Sequence, residues 1–354
     1  MSKAAAARKL AAAAAFGGGG LGVLGGSLYG VLSTQARMAR RRIGPADIDV
    51  LDPSGLYGAL LPGRPIRLAV LGDSGAAGYG ANVAQETFGA FLATGLSAIA
   101  HRPVQLNCEA VVGAEAAELE QQLPLALARR PEICVVIIGA NDVTHRVPPS
   151  QSVRSLQDAV ETLRTAGTEV VVGTCPDLGT IRPIAPPLRQ VARRWSRRLA
   201  AAQTIAVVEA GARSVSLGSI LGPEFTAAPL DMFGPDQFHP SPAGYQRCAT
   251  AMLPTVAAAL GVLPEGAHGP DSHRGEGVFS LSRAAAAAAD SDGTEVSRTD
   301  VTGGDHGPRG RWVLLRHRRR HPIPQVGEVD SPFDAAASGE RATQPVAHPN
   351  QPAG

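Results

Sequence analysis

Residues 67–74 read Arg-Leu-Ala-Val-Leu-Gly-Asp-Ser, and this stretch decides the fold. Its apolar run breaks at a glycine, and the turn that follows carries a serine, Ser74. A run that is apolar at consecutive positions is typical of a strand covered on both faces by helices. The stretch therefore predicts the first strand of a parallel sheet, followed by a glycine-rich turn.

Further β-branched runs alternate with helix-like stretches along the chain. This alternation predicts an α/β fold whose parallel strands are joined by right-handed crossovers. The predicted strands are Ile66–Leu71, Val104–Val111, Ile133–Ile138, Glu169–Thr174 and Thr204–Glu209. The predicted helices are Phe88–Ala100, Ala114–Ala128, Ser150–Ala166, Leu188–Ala202 and Pro242–Leu260, the last with Ser241 as its N-cap.

Composition predicts one folded domain with two dissimilar ends in this chain of 354 residues. We expect an N-terminal segment over residues 1–45, a folded domain over 46–264 and a tail over 265–354. The net charge of +2 is too small to suggest nucleic-acid binding. The four cysteines show no metal-site spacing; they are either buried as small apolar residues or, in an exported domain, paired in disulfides.

The N-terminal segment contains an uncharged stretch, residues 10–34, which follows Lys3, Arg8 and Lys9. A basic start before an apolar stretch of this length predicts a signal-like segment or membrane anchor, and hence a location in the cell envelope. The consecutive glycines Gly17–Gly20 oppose a helix. A soluble leader and a cytoplasmic location therefore remain the alternative.

The tail, residues 265–354, lacks a sustained apolar period, and this predicts disorder. It contains a short basic and apolar segment, residues 309–321. This segment is either a contact for anionic lipid or cell-envelope polymer, or a solvated run of charge.

Three residues far apart in the chain have the side chains that nucleophilic acyl transfer requires. A serine hydroxyl such as that of Ser74 is a poor nucleophile until a base lies within hydrogen-bond reach. His239 is the candidate base, because imidazole titrates near neutrality. Asp236 lies three residues before it, close enough to accept a hydrogen bond from the ring and fix its tautomer.

A tetrahedral oxyanion needs preorganised hydrogen-bond donors, and three loops at the same edge of the predicted sheet offer them. We expect the backbone N–H of Ser74, the backbone N–H of Gly113 and the side-chain amide of Asn141 to serve. Gly113 follows the second predicted strand and Asn141 follows the third.

These residues resemble the sequence blocks of the SGNH (GDSL-like) hydrolase superfamily. Gly72-Asp-Ser74 is similar to the first block, Gly113 to the second, Gly139-Ala-Asn-Asp142 to the third and Asp236-Gln-Phe-His239 to the last. The similarity covers residues 66–260. One departure is the sequence Gly-Ala-Ala-Gly after the serine, where many relatives have a hydroxyl residue.

The resemblance implies a flavodoxin-like three-layer α/β/α sandwich with a five-stranded parallel sheet. It also implies an esterase or lipase-type hydrolase that needs no metal or other cofactor, with an oxyanion hole formed by Ser74, Gly113 and Asn141. The leader and the long polar tail resemble those of actinobacterial envelope-associated members.

The leading hypothesis is a serine esterase that acts on small esters with a short acyl chain, because no long apolar lid is visible in the sequence. The alternatives are a deacetylase of a cell-envelope glycan or lipid and a non-catalytic, envelope-anchored binding protein. Binding of a phosphate or flavin at the glycine-rich turn is a further alternative, although the chain lacks Gly-Lys-Ser/Thr after the first strand.

Overall fold

A computed structural model describes residues 26–44, 50–218, 225, 227–262 and 295–296 of the protein. These residues belong to the first of two compact units, Met1–Asp305. The second unit, His306–Gly354, lies outside the described residues. Most of the tail, for which the sequence predicts disorder, lies outside them too, and so does its basic segment.

The described residues form a sheet of seven strands. The strands are β1 Gly55–Tyr57, β2 Ile66–Gly72, β3 Val104–Cys108, β4 Ile133–Ile137, β5 Glu169–Gly173, β6 Arg213–Val215 and β7 Glu295–Val296. Their order is β1-β3-β2-β4-β5-β6-β7, and the two edge strands pair antiparallel to their neighbours.

The five inner strands are parallel, as predicted. Numbered among themselves, they lie in the order 2-1-3-4-5, which is the flavodoxin-like arrangement. The chain leads from β2 to β3 on one side of the sheet centre and from β4 to β5 on the other. A crevice therefore forms beyond the carboxyl ends of the neighbouring strands β2 and β4. The edge strands β1 and β7 were not predicted.

Helices cover both faces of the sheet, which confirms the three-layer sandwich. They are α1 (residues 26–43), α2 Ser74–Ala77, α3 Phe88–Ala100, α4 Leu119–Ala128, α5 Ala140–His145, α6 Pro149–Thr165, α7 Leu188–Glu209, α8 Pro229–Met232 and α9 Pro242–Ala259. The predicted N-cap of the last helix is confirmed, since Ser241 Oγ accepts from the N–H of Gly244.

Alternate residues of β2 enter two separate cores, and this explains the apolar run Leu68–Leu71 within it. Leu68 and Val70 pack in the core beneath α3 and α9, while Ala69 and Leu71 pack in the core beneath α4 and α6. All four are fully buried. Burial of a Leu or Val side chain contributes about 1.5–3 kcal/mol, so both faces of the strand stabilise the sheet.

The prediction of a fifth strand at Thr204–Glu209 was wrong. This run continues α7, which ends at Glu209, and the fifth parallel strand is β6, residues 213–215. A short β-branched run fits a helix as well as a strand when no turn precedes it. The helix satisfies the polar group of the run, because Thr204 Oγ1 donates to the carbonyl of Ala200 one turn earlier.

The cysteines are all free. Cys134, Cys175 and Cys248 are buried, as the first of the two alternatives predicted, and Cys108 is partly buried. Each therefore packs as a small apolar side chain.

The N-terminal helix α1 packs against the folded domain. Gln35 exchanges hydrogen bonds with the carbonyl of Pro186 and the N–H of Leu188, and Arg40 donates to the carbonyl of Thr144. Residues 10–25 of the uncharged stretch lie outside the described part. No helix among the described residues is long and apolar enough to cross a membrane. An export or anchoring role for residues 10–34 stays a prediction.

Candidate active site

The turn that carries Ser74 depends on a glycine at the end of β2. Gly72 has φ +135°, and a Cβ at this position would lie 1.8 Å from the carbonyl oxygen of Ile137 in β4. No larger residue fits between the two strands. The chain then turns at Asp73, whose Oδ1 accepts from the N–H of Gly75 at 2.9 Å, and α2 begins at Ser74.

The loops on either side of this turn are attached to it by backbone hydrogen bonds. The N–H of Val111 donates to the carbonyl of Gly72 on one side, and the N–H of Asp73 donates to the carbonyl of Ile137 on the other. The segment that leads to Gly113 and the strand that leads to Asn141 therefore flank the turn, as expected for loops at the carboxyl edge of a parallel sheet.

The structure brings together the three side chains on which the sequence prediction rested. The Nε2 atom of His239 lies 2.9 Å from Oγ of Ser74, and its Nδ1 atom lies 2.6 Å from Oδ2 of Asp236. Ser74 and His239 are 7% and 9% exposed, so bulk water competes little for their contact. A hydroxyl, an imidazole and a carboxylate thus form a continuous hydrogen-bonded chain.

Asp236 is held in place by its own turn as well as by His239. Its Oδ1 atom accepts from the backbone N–H groups of Phe238 at 2.9 Å and His239 at 3.0 Å. Partial burial acts to raise the pKa of this carboxyl, but the hydrogen bonds from His239 and the two N–H groups outweigh it and lower the pKa below its ordinary value. Asp236 is therefore ionised at neutral pH.

Aromatic rings fix the orientation of His239. The ring of Tyr79 lies with its centroid 4.5 Å from the imidazole, and the ring of Phe238 meets it edge-on at 4.8 Å. Tyr79 is itself held in place, because the buried hydroxyl of Tyr245 in α9 donates to its backbone carbonyl at 2.7 Å. The imidazole has little room to rotate away from Ser74.

A hydrogen bond joins Asn141 to the loop that contains Gly113, the other oxyanion candidate. Asn141 lies in the first turn of α5, and its Nδ2 atom donates to the carbonyl of Ala114 at 3.0 Å. Gly113 has φ +85°, in the left-handed region that favours glycine. Within the described part of the chain, the N–H of Gly113 has no acceptor. This donor remains available for a ligand.

Two more contacts attach the Gly113 loop to α5. The buried carboxylate of Asp142 accepts from the N–H of Ala116, at 3.2 Å through Oδ2, and His145 Nδ1 lies 2.8 Å from Glu115 Oε1. Burial raises the pKa of Asp142. The same short helix therefore presents Asn141 and positions the neighbouring loop.

An apolar cavity of about 70 Å³ opens beside Ser74. Gly113 and Asn141 do not line it. Its walls come from the turn at Ser74, the segments after β4, β5 and β6, the loop between α8 and α9, and the helices α3 and α9. The lining residues are Asp73, Ser74, Gly75, Phe88, Ile137, Ala140, Pro176, Leu178, Ile181, Leu217, Phe238, His239, Pro240, Tyr245 and Cys248.

Sequence reasoning missed two buried glutamines that join elements at this edge of the sheet. Gln122 in α4 makes two hydrogen bonds to the backbone of Gly72. Gln203 in α7 accepts from the N–H of Cys175 and donates to the carbonyl of Ile138. A polar residue on the apolar face of a helix is the sequence signal that points to such positions.

Asp73 is a buried carboxyl directly beside the candidate nucleophile. Burial raises its pKa to about 6, although the N–H of Gly75 and the charge of His239 act to lower it. Among the described residues, no group of three His, Cys, Asp or Glu side chains is placed to hold a metal ion.

Comparison with known proteins identifies the family. The GDSL-like lipase/acylhydrolase family matches residues 70–247, half of the chain. The GDSL-like esterase Rv1075c of Mycobacterium tuberculosis is 41% identical over 197 residues, which cover 55% of this chain and 63% of that protein. The match thus spans less than two thirds of the relative.

Solved structures also resemble this one. The crystal structure of TesA has a TM-score of 0.44 and 22% identity, and the match covers 55% of this chain and 99% of TesA. Axe2, an acetylxylan esterase from Geobacillus stearothermophilus, has a TM-score of 0.41 and 18% identity, over 56% of this chain and 95% of Axe2. On the evidence of the sequence match over residues 70–247, the chain belongs to the GDSL-like lipase/acylhydrolase family.

Proposed function

We propose that the protein is a serine esterase that cleaves short-chain carboxylic esters through an acyl-enzyme intermediate. The observation that carries this proposal is the 2.9 Å contact between Ser74 Oγ and His239 Nε2. This contact joins a hydroxyl to a base that can accept its proton, which is the requirement for a serine nucleophile. The name of the Mycobacterium tuberculosis relative, an esterase, supports the same activity.

In the first half of the reaction, Ser74 Oγ attacks the ester carbonyl carbon while its proton passes to Nε2 of His239. The Nδ1–H group donates to Asp236, whose negative charge stabilises the imidazolium that forms. The tetrahedral intermediate collapses when the bond to the alcohol oxygen breaks. That oxygen takes the proton from Nε2, and the alcohol leaves while the acyl group remains on Ser74.

In the second half, water replaces the alcohol. His239 accepts a proton from the water, whose oxygen attacks the acyl carbon, and the returning proton restores the Ser74 hydroxyl as the acid departs. In both halves the carbonyl oxygen becomes negative. We assign its stabilisation to the N–H groups of Ser74 and Gly113 and to the amide of Asn141; one such donor commonly contributes about 3 kcal/mol.

The size of the cavity beside Ser74 supports a short acyl chain. A volume of about 70 Å³ holds only a few non-hydrogen atoms. Its apolar walls, which include Leu178, Ile181 and Leu217, suit hydrocarbon and offer no partner for a charged acyl group. Acetyl to butyryl esters are therefore the expected substrates.

A series of chromogenic esters with acyl chains of two to about twelve carbons tests the proposal, measured on the wild type and on Ser74→Ala. We expect the wild-type kcat/KM to fall steeply beyond four or so carbons, and Ser74→Ala to lose turnover while its unfolding curve is retained. Turnover retained in Ser74→Ala would remove the proposed nucleophile. A preference for long chains would leave the nucleophile in place and refute the acyl-size assignment.

Deacetylation of a cell-envelope glycan or lipid is the second candidate, and the small acyl cavity favours it, since acetyl is the smallest common acyl group. The two candidates are separated by measuring kcat/KM for an acetylated glycan and for a simple acetate ester, which carry the same acyl group. A kcat/KM that is higher for the glycan by tenfold or more would favour deacetylation.

A further inference from the structure

A second cavity adjoins the first at His239. It has a volume of about 490 Å³. The two cavities share His239 and Pro240, while Ser74 lines only the first. Residues from the end of α1, the loop after α2 and the loop before α9 line the second cavity, among them Arg42, Asn82 and Asp236.

We propose that this second cavity binds the alcohol part of the ester, and that the preferred alcohol has a negative charge. The proposal rests on the proposed esterase function and names its substrate class: a small acyl ester of a larger, anionic alcohol such as a phosphate- or carboxylate-bearing polyol.

The chemistry of the reaction places the alcohol on the His239 side. The imidazolium must give its proton to the oxygen that leaves, so this oxygen lies within hydrogen-bond reach of Nε2. The carbonyl oxygen lies toward Gly113 and Asn141, neither of which lines the second cavity. The acyl chain occupies the small cavity at Ser74. The open space next to His239 is then left for the alcohol.

One wall of this cavity is formed by the end of α1, which is held on the domain by hydrogen bonds and packing. Gln35 is bonded to Pro186 and Leu188 at the start of α7, and Arg40 donates to the carbonyl of Thr144 at the end of α5. Ala39, between them, is buried in the main core. Arg42 follows within one turn, so its backbone is positioned by a packed helix.

Two charged side chains line the cavity, the guanidinium of Arg42 and the carboxylate of Asp236. Arg42 has no ion-pair partner within the described residues. The carboxylate that lines the cavity, Asp236, is already engaged by Nδ1 of His239 and by two backbone N–H groups. Asn82, on the opposite loop, bonds to Glu86, which does not line the cavity. A guanidinium in this position suits a phosphate or carboxylate, which it binds through two parallel hydrogen bonds.

The two cavities differ in volume, and this difference suits them to different parts of the ester. A space of about 490 Å³ falls in the range of small-molecule binding sites, whereas the acyl cavity is several times smaller. The esters expected to react best therefore have a small acyl group and a sugar-sized alcohol.

The test uses three acetate esters whose alcohol parts have similar size and different charge: 2-acetoxyethyl phosphate, 3,3-dimethylbutyl acetate and acetylcholine. The full chain is compared as wild type, Arg42→Gln and Arg41→Gln. Arg41 is the matched control, since it is exposed on the same helix and lines neither cavity. The readout is the ratio of kcat/KM for the anionic ester to kcat/KM for the neutral ester.

We expect this ratio to fall about tenfold in Arg42→Gln, mainly through KM, because one charge-assisted contact is lost. In Arg41→Gln it should stay within about twofold of the wild type. Equal ratios in Arg42→Gln and Arg41→Gln, or a wild type that prefers acetylcholine, would overturn the proposal.

A binding measurement separates this proposal from the esterase function itself. The alcohol product, 2-hydroxyethyl phosphate, is titrated calorimetrically into the same three proteins. Binding that weakens in Arg42→Gln and not in Arg41→Gln supports the anion subsite even if the wild type hydrolyses none of the esters, an outcome that would refute the esterase proposal alone. Hydrolysis of esters without Arg42-dependent binding would refute the subsite alone.

Discussion

The side chain of Gln122 pairs with the backbone of Gly72 as a neighbouring strand would. The N–H of Gly72 donates to Oε1 at 2.8 Å, and Nε2 donates to the carbonyl of Gly72 at 2.9 Å. Gln122 is buried, so both groups lack access to water. This pair fixes the residue at which β2 ends, two positions before Ser74.

Replacement of Gln122 by Met is predicted to destabilise the protein. It leaves the N–H of Gly72 buried without a partner, which should reduce the free energy of unfolding by about 2–4 kcal/mol. The kcat for a short-chain ester should also fall, because the turn at Ser74 loses its support. Urea denaturation and ester hydrolysis measure the two effects. Gln121→Met, at the exposed neighbouring position, is the control; equal stability of the two variants would contradict the assignment.

Asn141→Ala tests the proposed oxyanion donor. We expect kcat to fall by about 10²–10³ while KM changes little, since the lost interaction forms in the transition state. The free energy of unfolding should fall by only about 1 kcal/mol, from the hydrogen bond to Ala114. Steady-state kinetics with a short-chain ester provides the measurement, and Asn107→Ala in β3 is the control. A change confined to KM would count against a role in stabilising the oxyanion.

One substitution is expected to enlarge the cavity beside Ser74. Ile181 is buried and lines this cavity, whereas Ile184, buried three residues later, does not. Ile181→Ala should shift the preferred acyl chain toward longer esters, and Ile184→Ala should leave the preference unchanged. Both variants should lose about 2–5 kcal/mol of stability. The acyl-chain-length series distinguishes them, and an identical chain-length profile for the two variants would show that this cavity does not bind the acyl group.

The raised pKa of Asp73 leads us to expect that the stability of the protein depends on pH. Its pKa is raised from an ordinary value near 4 to about 6, so the folded state holds this proton more tightly than the unfolded state. The stability of the folded state should therefore fall as pH rises from about 4 to 6. Asp73→Asn removes this contribution. The wild type should lose up to about 3 kcal/mol relative to Asp73→Asn across this window.

Urea denaturation of both proteins at several pH values between 4 and 7 gives this difference directly. Asp158→Asn, which removes a carboxyl from an exposed position on α6, is the control for the change in net charge. A difference between the wild type and Asp73→Asn that is constant with pH would show that the carboxyl is not buried as the structure has it.

Much of the fold could be predicted from sequence because its signals are local. The runs at Leu68–Leu71 and Ile133–Ile138 are apolar at every position, and this pattern is typical of buried parallel strands. The strand at residues 213–215 could not be found in this way. It has only three residues and begins with Arg213, and the longer β-branched run before it continues a helix.

The candidate site was predicted in part for a similar reason. Ser74, Asp236 and His239 stand in short segments whose residue types suit one reaction, and these segments can be recognised from the sequence. The positions of Gln122 and Arg42 depend on which helices pack at the carboxyl edge of the sheet. No local pattern encodes that packing, and the cavity beside His239 became visible only in the structure.

The most direct test of the central claim is the site of covalent labelling by a fluorophosphonate, which reacts readily only with an activated serine. Intact-mass analysis should show one adduct per chain, and peptide mapping should locate it on Ser74. Ser74→Ala should gain no adduct, and His239→Ala should react at least about a hundredfold more slowly. Labelling of Ser74→Ala at the wild-type rate, or a wild type that stays unlabelled, would contradict the account.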